Sequence, residues 1–230
     1  MNPKARFPRC SEPVRSGGFT LIELLVVLAI VVVAMLLGIP ALHNLIIRSR
    51  TEGYAREASV LMQRTRLEAI KMSRDGVVYL DPANRRLVGF IDADRSGTFN
   101  PDPDEPPRTT DYVLGRLPLS ENVEFEDQAG NTGATSVVGK TEVEVGGDPL
   151  PAVIFRANGS IVDPRSDDGD FAFRVSDVRG NHLEVRVFPQ ATGRIELRKW
   201  QTVVADGVAK DDWYGSGDPG DEGFVPWKWN

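Results

Sequence analysis

Between Phe19 and Ile39 the chain is apolar at every position except Thr20 and Glu23. At about 1.5 Å of rise per residue a helix over this run measures roughly 30 Å, enough to cross a hydrocarbon core. The pattern changes beyond Pro40, which lacks an N–H and is expected to bend the helix or loosen one turn. Ala58, Leu61, Met62, Thr65, Ala69 and Met72 recur at spacings of three and four, giving one weakly apolar face. Arg56, Glu57, Arg64, Arg66, Glu68 and Lys71 fill the opposite face, a solvated surface with Arg64 and Glu68 at helical spacing. Gly76, preceded by Lys71 and Arg74, is the expected stop.

From Val77 the period shortens. Strands are predicted over residues 77–80, 86–91, 112–117, 123–126, 137–145, 152–156, 171–175, 182–188 and 194–200. The clearest is "HLEVRVF", with Leu183, Val185 and Val187 on one face and His182, Glu184, Arg186 and Phe188 on the other. Asp81-Pro82, Asn158-Gly159 and Gly180-Asn181 mark turns. The predicted fold is α+β: a long amino-terminal membrane-spanning helix packed on a carboxy-terminal antiparallel β-sheet domain. Its divisions are a leader (1–18), a transmembrane helix (19–39), an amphipathic continuation (40–76), a β-rich domain (77–204) and an acidic tail (205–230). The tail is Gly-rich and irregular but carries Trp213, Tyr214, Phe224, Trp227 and Trp229, so it reads either as a loose extension or as a docking arm.

Charge sharpens this picture. The net charge is −6, yet the first eighteen residues carry +3 from Lys4, Arg6, Arg9 and Arg15 against Glu12, leaving −9 for the rest. A basic leader before an apolar run stays on the cytoplasmic side. An acidic domain argues against nucleic acid, which rewards clustered cations. The one cysteine, Cys10, lies in the leader and permits no disulfide within the chain.

Glu23 is the anomaly. A carboxylate carried into a bilayer costs on the order of 3 kcal/mol, so it calls for a partner. A secretory signal would have a shorter apolar region and a small-residue cleavage site after it. A plain signal anchor explains the length but not the acid. Cleavage between Gly18 and Phe19 would create an α-amine four residues before Glu23. The amine of an incoming subunit could then neutralise Glu23 of its neighbour, and Gly17-Gly18 offers a peptidase an unhindered backbone.

"GGFTLIELLVVLAI" resembles the class III leader and methylation motif of type IV pilins and pseudopilins, with Gly18 before the cut, Phe19 after it, and Glu23 in place. Pro40 stands where that family often has a helix-kinking proline; the leader is somewhat long for it. The resemblance implies cleavage after Gly18 by a prepilin peptidase, N-methylation of Phe19, and assembly through Glu23. The domain is similar to the GspH/FimT family in three patches: "LVGFIDADRSGTFNPDPDE" followed by "YVLGRLPL", "IFRANGSI", and "LEVRVFPQATGRIELRKW". "ATSVVGKTEVEVGGDPLP" and the tail look like additions. The implied function is that of a minor pseudopilin of type II secretion, assembling into a periplasmic pseudopilus that helps export folded proteins. Its partners would be other pseudopilins and the inner-membrane secretion platform. Its location would be a single-pass inner-membrane one, leader cytoplasmic and domain periplasmic, before entry into the filament. The alternative is a FimT-like minor pilin of type IV pili, possibly serving DNA uptake.

Such a role needs no cofactor, but calcium is a candidate. Asp92, Asp94, Ser96 and Asn100 occupy positions 1, 3, 5 and 9 of an EF-hand-like loop, with Gly97 at the turn and Thr98 offering its carbonyl. The closing Glu is missing, since Pro103 stands there; Asp102, Asp104 or Glu105 would have to substitute. FimT-like DNA uptake is associated with a Gly-Arg-x-Arg motif. Here Gly193-Arg194-Ile195-Glu196 replaces the second arginine with an acid, leaving Arg194, Arg198 and Lys199 as candidate DNA contacts. No catalytic motif accompanies His43 or His182, so neither an enzyme nor a small-molecule substrate is expected.

Overall fold

The computed structural model describes residues 19–99, 111–162, 170–205 and 208–215; the side chains at 37, 38, 40, 41, 134 and 202–211 fall outside the description. Two compact units are present, Met1–Asn44 and Leu45–Asn230, and helix α1 (Leu21–Met72) contributes to both.

Helix α1 starts on a cap. The Glu23 amide donates to the Thr20 hydroxyl at 3.3 Å, the contact expected of a Thr-x-x-Glu start. In the first unit the apolar side chains of residues 21–36 are all exposed. Among the described residues no helix is long and apolar enough to cross a membrane. The expected 19–39 span includes positions 37 and 38, whose side chains fall outside the description.

In the second unit α1 buries the face its periodicity predicts: Ala58, Leu61, Met62, Thr65 and Ala69, extended toward the amino terminus by Ile47, Thr51, Tyr54 and Ala55. The helix ends at Met72 rather than at Gly76. Ser73 takes a left-handed conformation (φ 52), its N–H donates to the Ile70 carbonyl, and the Arg74 N–H donates to that of Ala69. This is a Schellman cap with serine in the position glycine usually holds. Gly76 instead lies in a strand beneath the helix, and its role there is close approach. A Cβ on Gly76 would fall 2.8 Å from the Thr65 carbonyl oxygen, and one on Gly89 2.7 Å from Thr65 Oγ1.

The strands are β1 (Asp75–Asp81), β2 (Arg86–Asp92), β3 (Thr98–Phe99), β4 (Tyr112–Pro118), β5 (Val123–Glu124), β6 (Thr141–Val145), β7 (Asp148–Phe155), β8 (Phe171–Asp177), β9 (His182–Val187), β10 (Ile195–Ala205) and β11 (Val208–Gly215). They form a six-stranded sheet ordered β3-β6-β7-β1-β2-β4 and a five-stranded sheet ordered β11-β10-β9-β8-β5. Pairing is antiparallel except for the two-residue pair of β3 with β6, so the expected helix and antiparallel β-sheet domain are present, the β part built as two sheets. Two further corrections concern range. The strand expected from Val137 begins at Thr141, because residues Gly133–Ser136 close a 3₁₀ turn and Val138 forms a lone bridge to Ala172. The tail expected from 205 is a strand over Val208–Gly215, paired with β10, so the domain extends past 204. Phe224, Trp227 and Trp229 lie outside the described residues.

The main core packs Leu61 and Met62 against Val78, Leu80, Ile91, Phe155, Phe173, Leu183 and Val185. A second cluster on the other face of the first sheet joins Val77, Tyr79, Val88 and Phe90 to Phe99. On the outward side of β9, Glu184 is nonetheless buried, held by Arg174 at 2.9 Å and Arg198 at 3.5 Å. Two turns share one skeleton: in "DQAGN" and "DVRGN", Asp127 and Asp177 each accept the backbone N–H and side-chain Nδ2 of Asn131 or Asn181.

Candidate functional site

Three groups of residues carry the sequence expectations, and the structure treats them differently. The first is the start of α1. Phe19 lies two residues before the helix and is exposed, and Glu23 sits in the first turn, where the positive end of the helix dipole favours an acid. Among the described residues Glu23 has no ion-pair partner. Gly18, and with it the bond expected to be cut, lies outside the described residues. Pro40 falls within α1, which is helical on both sides of it.

The second group is acidic. Asp92 and Asp94 do come together, and Asp111 joins them: one carboxylate oxygen from each lies within 4.8 Å of the others. Asp92 and Asp111 are buried and Asp94 is exposed. The loop holds itself by backbone donors. The Ser96 N–H reaches Asp92 at 3.1 Å and Asp94 at 2.9 Å, Gly97 N–H reaches Asp92 at 2.9 Å, and Ala93 N–H reaches Asp111 at 2.9 Å. Gly97 has φ +72, the turn geometry expected of it. Burial, with Asp94 and Asp111 adding to it, pushes the Asp92 carboxyl up to about 6. Such a cluster either shares a proton or accepts a cation; the oxygen-only donor set suits a hard divalent ion such as calcium. Of the predicted ligands, Ser96 spends its hydroxyl on the Thr98 carbonyl at 3.1 Å. Asn100, Asp102, Asp104 and Glu105 lie outside the described residues.

Sequence reasoning missed Asp111, although the signal existed. Strands β2 and β4 pair with Ile91 opposite Tyr112. Treating the predicted strands 86–91 and 112–117 as neighbours in that register sets Asp92, one past the end of the first, beside Asp111, one before the start of the second.

The third group is basic and does not converge. Arg194 is exposed and bonds Glu196 at 3.1 Å. Arg198 turns to the outward side, to Glu184 and the Trp213 carbonyl. Lys199, one residue on, faces the other way toward Arg48, Thr51 and Glu52. Burial lowers its pKa, and Arg48 adds to that, while Glu52 and Asp177 oppose it. A phosphate-binding patch needs its cations on one surface.

Comparison with known proteins adds one motif. Residues 14–39 match the family model described as the prokaryotic N-terminal methylation motif. No curated protein matches the chain. Among solved structures, the chain is similar to the type IV minor pilin FimU of Pseudomonas aeruginosa, at 13% identity over 65% of this chain and 89% of that one, with a TM-score of 0.38. It is also similar to the minor pseudopilin EpsH from the type 2 secretion system of Vibrio cholerae, at 16% identity over 64% of this chain and 95% of that one, with a TM-score of 0.38. With both scores below 0.5, the functional reading rests on the motif and on the chain's own residues.

Proposed function

We propose that this chain is a minor pseudopilin of type II secretion, a subunit whose work is assembly. The observation that carries the reading is the methylation motif over residues 14–39, in which Glu23 is the one charge inside an apolar run. In this reading the run from 19 to 39 anchors the chain in the inner membrane with its leader inside. A prepilin peptidase cuts after Gly18, Phe19 is methylated, and its new amine meets Glu23 of a neighbouring subunit. Proximity of opposite charges in a medium of low dielectric sets the axial register, while apolar side chains supply the packing. A long helix leading into a β-sheet domain suits this arrangement, since one end can pack in a filament while the other presents a folded surface.

Mass spectrometry of the protein extracted from membranes tests the processing step directly. A methylated Phe19 terminus is expected; an intact Met1 terminus in cells with active peptidase refutes it. Deleting the gene distinguishes the two kinds of filament. Loss of protein export with surface pili retained supports the secretion role, and the opposite pattern supports a minor pilin of type IV pili.

A further inference from the structure

The half-buried arginines of the second sheet each meet an acid: Arg174 and Arg198 hold Glu184, and Arg186 reaches Asp170. Arg66, half-buried on α1, does not. Its Nε donates to the Gly159 carbonyl at 2.9 Å, and among the described residues it forms no ion pair. Two turns hold it there. Gly159 (φ +82) and Gly193 (φ +56) both adopt the left-handed region, and each leaves to the guanidinium the room a side chain would take. A Cβ on Gly159 would lie 3.0 Å from Arg66 Nη2, and one on Gly193 3.2 Å from Arg66 Nε. The two turns are also tied together, since the Ile161 N–H donates to the Gln190 carbonyl at 3.0 Å. The guanidinium is thus fixed before any ligand arrives, with its Nε satisfied and its two Nη groups left for a planar, two-point acceptor.

This arginine lines an open groove of about 620 Å³ between α1 and the turn that leads into β10. Gln63 and Leu67 join it from the helix, and Pro189, Arg194 and Ile195 from the other side. Among the described residues no carboxylate lines the groove. Arg194 bonds Glu196 at 3.1 Å, but its side chain is 73% exposed, and an exposed pair of this kind is weak. An incoming acid therefore displaces little in reaching Arg194 as well as Arg66.

The apolar part of the groove sets the kind of ligand. Leu67 is 61% exposed, and so is Val60, two turns earlier on the same face of α1. The two are about 10 Å apart at about 1.5 Å per residue, so apolar surface runs out of the groove along the helix. A small anion would leave that surface in water. Nucleic acid rewards cations spread along a surface, and the −9 charge of the chain beyond residue 18 opposes it. A peptide segment laid along the helix covers Leu67 and Val60 and brings one acidic side chain between the two arginines. Helix α1 is the element through which the proposed assembly runs, so the subunit beside it is the source of that segment.

We propose that the groove between α1 and the 189–195 turn docks a segment of a neighbouring filament subunit, one that carries a carboxylate beside an apolar side chain. This rests on the assembly reading above, and its test separates the two. The full chain is expressed in cells that make the rest of the secretion machinery, with a photoreactive phenylalanine analogue at position 67, 30 or 129. Position 30 lies in the apolar run and 129 on an exposed turn. Light should join 67 to another subunit, at a peptide holding an aspartate or glutamate, and leave 129 unjoined. Arg194→Glu should lower the yield at 67 about tenfold, and exchanging the mapped acid for lysine should restore it. Joining at 30 but not at 67 overturns the groove proposal alone, and joining at neither overturns assembly as well. Joining of 67 to residues 216–230 of its own chain means that the groove is filled from within, and joining to nucleic acid means that phosphate is the ligand; either overturns the proposal. So does a yield at 67 that Arg194→Glu leaves unchanged.

Discussion

The two parts of α1 differ in what completes them. From Ala55 to Ala69 the helix has its complement within the chain: small residues on the helix, glycines on β1, β2 and β4, and Leu61 and Met62 set into the core. From residue 21 to 36 the helix is more hydrophobic, yet its side chains are exposed. Sequence that specifies a domain is patterned, because only one face meets a partner. Under the proposed assembly the 21–36 stretch faces a uniform apolar surround and needs no pattern, and Glu23, its one charged position, is the residue proposed to carry the specificity.

Substitutions in the two parts of α1 should have opposite consequences. Glu23→Ala is expected to abolish or nearly abolish incorporation into filaments while leaving the melting of the folded domain unchanged. Crosslinking of membrane-embedded subunits and thermal denaturation of the same preparation would read both. Equal incorporation of wild type and variant would remove the electrostatic basis of the assembly model. Met62→Ala should do the reverse. Its side chain is fully buried, so truncation costs about 2–5 kcal/mol in transfer and cavity terms. Denaturant midpoints would show the loss, and cleavage after Gly18 should proceed as before.

A smaller change sharpens the question of how closely the helix must sit. Gly76→Ala places a methyl 2.8 Å from a backbone oxygen of Thr65, which cannot rotate away. About 1–3 kcal/mol of destabilisation is expected from overpacking. Gly146→Ala, in a turn whose φ is +63 but where a Cβ meets nothing within 4 Å, separates backbone strain from steric contact. Gly76 is not in the left-handed region, so a Gly76→Ala variant as stable as the wild type would show that the close approach beneath α1 does not constrain it.

Much of this was legible from residue order. The buried face of α1 follows the spacing of Ala58, Leu61, Met62, Thr65 and Ala69, and "HLEVRVF" placed Leu183, Val185 and Val187 in the core. The misses share a cause: they depend on pairing between distant segments or on a residue acting against its usual preference. Ser73 adopts a left-handed cap that composition assigns to glycine, so Gly76 drew the helix end too far. The short β3 exists only because β6 lies beside it, and β11 only because β10 continues past its other neighbour. Asp111 is remote from Asp92 in sequence and adjacent only through the β2–β4 register. The "DVRGN" and "DQAGN" turns were readable as a pair, since each aspartate braces its own asparagine.

The acidic loop offers the smallest and most specific test, because it responds to protons and cations in opposite senses. Asp92 has its carboxyl raised from 3.8 to about 6 in the folded state by burial, with Asp94 and Asp111 adding to it. A raised acid contributes stability that is complete below pH 3.8 and lost as pH rises through about 6. Asp81 and Asp127 run the other way. Burial raises each, but hydrogen bonds from Asn84 and Asn131, with Arg86 and Arg174 nearby, hold both below the usual carboxylate range. Their contribution is present above pH 3.8 and lost only as pH falls below it, so the interval from pH 4 to 7 belongs to Asp92. In a chelator, Asp92→Asn should flatten the fall in stability across that interval by about 1–2 kcal/mol. That is less than the full shift at ~1.4 kcal/mol per pKa unit, since relaxation around a loop screens the group. If the cluster also takes calcium, the ion must displace the Asp92 proton. Added calcium would then raise the wild-type melting temperature more at pH 7.5 than at pH 5, and Asp111→Asn would abolish the rise. A calcium effect of equal size at both pH values would place the ion elsewhere, and no effect at either would leave the three carboxylates as a proton-sharing cluster alone.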